Sequence, residues 1–167
     1  MAIVAILLSI AMVTYRQVRL RGGETAAIAA LESINQAQFA YMQTCGNQRY
    51  APALADLGTP VPGTKAGYLS PDLAREGEEV VKSGYILRMS GTPVSDGTRT
   101  CTGATPVSGY RLTADPAVPG VGGTRFFGTN TDRVIYEDFE TFHPDMPEAG
   151  PPEHGTELPT TWGNPKS

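Results

Sequence analysis

The first thirteen residues, Met1 to Val13, read MAIVAILLSIAMV, with Ser9 as the only polar side chain and no charge. They lead, with no proline before Pro52, into a stretch of different pattern from Glu24 to Thr44 that contains neither Gly nor Pro. There Ala27, Leu31, Ile34, Tyr41 and Cys45 recur at spacings of three or four or their multiples, and Gln38 is the one polar interruption. That spacing predicts a single apolar stripe along a helix. Glu32, Asn35, Gln36 and Gln43 are expected away from the stripe. The chain is therefore expected to be built around one long helix, wholly apolar first and amphipathic second, loosened at Gly22-Gly23.

The apolar head is short for a membrane span. As a helix its 13 residues cover about 20 Å, roughly 10 Å less than a bilayer core requires. Its length suits the apolar region of a secretory signal peptide, yet no Lys or Arg precedes it, and only Ser9-Ile10-Ala11 resembles a small-residue cleavage site. Arg16, Arg19 and Arg21 follow it, where headgroups would lie; read literally, the positive-inside rule would place the rest of the chain in the cytoplasm. The shortfall itself suggests a segment trimmed at its N-terminal side.

Beyond Gly46 turn signals dominate. The 19 Gly and 14 Pro among 167 residues exclude a compact helical bundle, because both break helix interiors. Leu54 and Leu57 are expected to anchor a loop on the core, and Ser70-Pro71-Asp72-Leu73 reads as a short helix start. Tyr85, Leu87 and Met89 alternate with Ile86 and Arg88, and Tyr110, Leu112 and Ala114 with Arg111 and Thr113, so both runs predict strands. Two more are expected at Thr124 to Gly128 and Arg133 to Asp138, joined by a turn at 129–132. The expected fold is α+β, the helix stripe covering one face of a three- to four-stranded antiparallel sheet. Residues 1–23 are assigned to an N-terminal membrane helix segment and 24–138 to the head domain. Residues 139–167, acidic and carrying six prolines, are assigned to an extended or poorly ordered tail.

Cys45 and Cys101, 56 positions apart, fit no metal motif. They are expected to form a disulfide that pins the helix end to the sheet and implies an oxidising compartment; the alternative is two unrelated thiols, one buried and one exposed. Enzyme signatures are missing: there is no Gly-x-Ser-x-Gly, His-Glu-x-x-His or Cys-x-x-Cys, and Gly120-Val121-Gly122-Gly123 precedes a strand, as a turn does. His143 and His154 read as surface histidines of the tail. Asp132, Glu137, Asp138, Glu140 and Asp145 do not follow a calcium-loop spacing and read as a solvated rim. Tyr85, Tyr110, Phe126, Phe127 and Tyr136 are expected to fill the core. With 13 basic and 17 acidic residues, nucleic acid is not an expected partner. No cofactor, metal or catalytic residue is expected.

The apolar run from Ala2 to Ala11, the helix AAIAALESINQAQFAY at Ala26–Tyr41 and the segment Tyr50-Ala51-Pro52-Ala53-Leu54-Ala55-Asp56-Leu57-Gly58, followed by Ser108-Gly109-Tyr110 and Thr124-Arg125-Phe126-Phe127, resemble the type IV pilin superfamily, which includes the pseudopilins of type II secretion. The resemblance covers residues 1–138 in outline. It implies a structural subunit, a minor pilin or pseudopilin, stored in the inner membrane and then assembled with other pilin-like subunits into a periplasmic or cell-surface filament. Ala2, Ala5, Ser9 and Ala11 would let assembling helices approach closely. Family members carry a leader ending in Gly and a Phe-Thr-Leu-Ile-Glu-like start that precedes such a run, so the resemblance implies about 6 or 7 residues before Met1, the same deficit as the bilayer arithmetic. The helix-kinking proline common in the family is absent here. The alternative is a membrane-anchored or secreted periplasmic ligand-binding domain that does not polymerise; an exported hydrolase has no motif in its support.

Overall fold

A computed structural model of the chain describes residues 2–159, with side chains described at 15 and over 17–159. A single α-helix, α1 (Ala2–Thr44), is followed by the short α2 (Leu54–Gly58) and six strands: β1 (Glu79–Lys82), β2 (Tyr85–Ser90), β3 (Arg111–Pro116), β4 (Phe126–Asn130), β5 (Tyr136–Asp138) and β6 (Thr156–Glu157). Each strand pairs antiparallel with the next, so the sheet is an open meander in chain order. The architecture is α+β, with six strands where three to four are expected.

Both additional strands lie at the sheet's edges. β1 joins β2 through Ser83 and Gly84, both at positive φ, the backbone of a tight two-residue hairpin. β6 comes from the Pro-rich segment and pairs Tyr136 with Glu157 and Glu137 with Thr156. The turn between β4 and β5 lies one residue later than expected: Asn130 Oδ1 accepts the Asp132 N–H, and Arg133 takes a left-handed conformation. Ser70–Ala74 closes as a turn without becoming a helix, the N–H groups of Leu73 and Ala74 both reaching the Ser70 carbonyl.

Alternation along the strands separates two apolar layers. Toward α1 point Leu87, Leu112, Ala114 and Phe127, which join Ala27, Leu31, Ile34, Tyr41, Leu54 and Leu57 in the main core. On the opposite face Tyr136, Phe142 and Met146 form a second cluster with Phe126 and Val134. Residues 139–159 therefore do not hang as an extended tail. Phe142 and Met146, four apart, sit over Gly128, where an added Cβ would lie 2.8 Å from the Met146 sulfur. They form a strap across the outer face of the sheet, and Asn130 holds it there by donating to the carbonyls of Pro147 (3.1 Å) and Gly150 (2.7 Å).

Gly22-Gly23 does not interrupt α1. Gly22 faces open space, whereas a Cβ on Gly23 would stand 2.0 Å from the Gly122 carbonyl oxygen. At Gly23 the helix backbone approaches the sheet domain closely, and glycine permits this by lacking a side chain. Among the described residues, no helix is long and apolar enough to cross a membrane.

Candidate functional site

The candidate site is α1 itself, which changes character at Gly23. From Gly23 to Cys45 one face is buried: Leu31, Ile34 and Tyr41 are fully inaccessible, and Ala27 and Cys45 nearly so. On the N-terminal side Tyr15 and Val18 are 68% and 64% exposed, and Gln17, Arg19, Arg21 and Gly22 are also open. The side chains of Ala2, Ala5, Ser9 and Ala11 lie outside the described residues.

Polar side chains on the buried face fix how the helix sits. Gln38, fully buried, both donates to the Ala51 carbonyl (3.0 Å) and accepts the Ala51 N–H (2.9 Å), completing a backbone pair with its amide. Asn35 is buried as well, where the stripe placed it outside: its amide donates to Thr129 Oγ1 (3.0 Å) and its carbonyl accepts the Tyr110 hydroxyl (2.9 Å). Position 35 lies one turn beyond Leu31, on the flank of the stripe, and sheet residues far along the chain satisfy its amide.

Glu24 is the first carboxylate after the basic cluster and is 7% exposed. Its Oε1 accepts the backbone N–H (2.9 Å) and hydroxyl (3.0 Å) of Thr124, and its Oε2 receives Arg125 through Nη2 (2.8 Å) and Nε (3.0 Å). Arg125 extends the pair to Glu137 through Nη1. Burial alone would raise the Glu24 pKa. The Thr124 N–H, the Arg125 side chain and the Thr124 hydroxyl outweigh it and hold the carboxyl below its usual range. The sequence signal for this lock is the stripe's own period, since Glu24 precedes Leu31 by seven residues and Gln38 follows by seven.

At the far end of α1, Cys45 and Cys101 stand at disulfide distance, their Cα atoms 4.9 Å apart. Two reciprocal backbone bonds between Tyr50 and Val107, each 3.0 Å, and one from the Cys101 N–H to the Cys45 carbonyl, 2.9 Å, bring the two segments together. The helix is thus tied to the domain at both ends of its buried half, by Glu24–Arg125 and by the cysteines.

Where α1 leaves the domain, the turns at Ser83-Gly84 and 117–122 border a cleft of about 470 Å³ with Arg19 at its lip. Val118 and Val121 are exposed beside it. This end therefore presents apolar surface and the Arg19 side chain beside the helix.

The expected acidic rim is distributed among separate contacts. Glu137 pairs with Arg125, Asp132 accepts the Gly150 N–H (2.7 Å), and Glu140 and Asp145 are exposed. Asp138 meets His154 Nδ1 at 2.8 Å, and the His154 ring stacks on Phe142. His154 is thereby built into the strap, unlike His143, which is exposed. Among the described residues, no group of three or more His, Cys, Asp or Glu side chains is placed to hold a metal ion. Compared with known protein families, curated proteins and solved structures, the chain has no match.

Proposed function

We propose that the chain is a structural subunit, a minor pilin or pseudopilin of a type IV pilus or type II secretion filament, that assembles through the N-terminal half of α1. One observation carries the reading: a continuous 43-residue helix is covered by its own domain from Gly23 onward, whereas the described side chains before it, Tyr15 and 17–22, are open or half-buried. The uncharged residues 2–13 belong to the same helix. An apolar helix of this kind needs lipid or other helices around it, and exchange of one for the other is the assembly step. In this reading the inner membrane holds the subunit first, with the cysteine-linked head in the periplasm.

The Glu24 lock and the Cys45–Cys101 pair serve the same purpose. They fix the angle at which the helix leaves the head, so that every subunit presents the same geometry to its neighbour. A filament subunit needs no catalytic residue.

The test is the N-terminal mass of the native protein from membrane and sheared-filament fractions of the source cell. A chain beginning several residues before Met1, with an N-methylated Phe and present in the filament fraction, is the expected result. A chain beginning at Met1 or cut near Ala11 overturns the filament reading in favour of an anchored or secreted domain.

A further inference from the structure

We propose that a cleft on the face of the sheet opposite α1 binds a small ligand through its carboxylate, with Arg111 and Thr113 as the recognising residues. The cleft, of about 480 Å³, lies where β2 and β3 meet the strap at His143-Pro144. That volume is of the size that takes a small molecule or a short peptide end. Its floor is set by strand register: Arg88 stands opposite Thr113 and Ser90 opposite Arg111, and all four line the cleft on the outward side of the pleat.

The two arginines of the floor are not equivalent. Arg88 is neutralised inside the fold, by Glu79 at 2.8 Å and Asp115 at 2.7 Å. Arg111 has no carboxylate partner among the described residues; its Nε donates to Ser90 Oγ (2.9 Å), which leaves the two terminal nitrogens of the guanidinium for a ligand. Such a planar fork matches a carboxylate in bidentate fashion.

The second observation is independent of the first. Thr113, 3% exposed, belongs to the same floor, and its hydroxyl is buried with no hydrogen-bond partner among the described residues. A buried hydroxyl left unpaired destabilises the free protein, and its neighbour on the same strand face is the unpaired arginine. A carboxylate paired with the Arg111 fork brings to this cleft the acceptor that the Thr113 hydroxyl lacks. Glu78, which has no salt-bridge partner among the described residues, lines the β1 side of the cleft, about two strand spacings or 10 Å from β3, so a ligand with a cationic group at its other end is favoured over a dianion. A peptide C-terminus and a zwitterionic organic acid share this chemistry.

The test is equilibrium binding to the full chain in detergent micelles, with trialanine, trialanine amide, 6-aminohexanoate and succinate as probes. Saturable binding of trialanine or of 6-aminohexanoate, absent for the amide and weaker for succinate, is expected. Tighter binding of trialanine identifies a peptide end; tighter binding of 6-aminohexanoate identifies a free organic acid. Arg111→Gln should weaken the bound probe by about tenfold or more, as loss of a charge-assisted pair does. Arg75→Gln, at an exposed position away from the cleft, should leave binding unchanged. Thr113→Val should weaken binding while the melting temperature holds or rises, because it removes the orphaned hydroxyl. No saturable binding of trialanine or of 6-aminohexanoate at millimolar concentration, equal binding of the amide, or equal affinity in folded Arg111→Gln overturns the proposal.

Discussion

The two halves of α1 share one backbone and have opposite surroundings. Between Gly23 and Cys45 every third or fourth side chain meets the sheet, and the polar residues on that face, Glu24, Asn35 and Gln38, each find partners fixed by the fold. Between Tyr15 and Gly22 the described side chains are open or half-buried, and none has a tertiary hydrogen bond among those recorded for the described residues. Helical periodicity alone does not separate them, because both halves are helical. What separates them, among the described residues, is whether the chain supplies its own cover.

The largest contrast should appear on placing a charge in each half. Leu31→Asp puts a carboxylate where no water reaches and should lower stability by about 4–6 kcal/mol, enough to unfold a marginal domain. Val18→Asp, at an exposed site, should change stability by no more than about 0.5 kcal/mol. Thermal or denaturant unfolding in micelles measures both, and similar effects would mean that the division at Gly23 is wrong.

Reducing the Cys45–Cys101 bond should weaken only the covered half. Freeing a loop with 56 residues of sequence separation corresponds to about 4 kcal/mol in the chain-entropy account. The melting temperature should fall on adding reductant, and an unchanged value would remove the cysteine tether from the account.

A smaller effect, with a pH signature, belongs to the Glu24 lock. Because folding holds the Glu24 carboxyl below its usual range, the lock contributes above the unfolded value of about 4.3 and is lost as pH falls through the folded value. Glu24→Gln should therefore be less stable than the wild type at pH 7, by about 1–3 kcal/mol for a partly buried pair, and the gap should close on acidification below about pH 4. A gap that persists in acid would assign the contribution to packing.

The two glycines give the smallest and most local contrast. Gly22→Ala, into open space on a helix, should stabilise by up to about 1 kcal/mol. Gly23→Ala drives a methyl into the Gly122 carbonyl and should destabilise. The same sign for both would show that helix and domain do not touch there.

Most of the inner layer is legible in the sequence because its periods are regular. The stripe from Ala27 to Tyr41 and the alternation at 85–89 and 110–114 are local signals, and they locate the helix, β2, β3 and their common face. β1 is hidden because its two valines face opposite sides of the sheet between charged residues, although Ser83-Gly84 signals its hairpin. β6 is hidden because two residues have no period; Thr156 and Glu157 form a strand only because β5 is there to pair with. The average composition of residues 139–167 masks Phe142 and Met146, whose socket over Gly128 is a long-range fact. Asn35 misleads for the same reason, since its partners Tyr110 and Thr129 come from the sheet. The cleft over Arg111 and Thr113 needed the strap to be placed before it existed as a site.

The central claim, that the bare half of α1 meets other subunits, is tested most directly by a photoreactive phenylalanine analogue placed at Val18 in the source cell. The account predicts, after irradiation, a ladder of covalent multimers at integer multiples of the chain mass, with the cross-link mapped to residues 1–23 of the neighbouring copy. Adducts to lipid alone, with the protein remaining monomeric under conditions where filaments form, would contradict it.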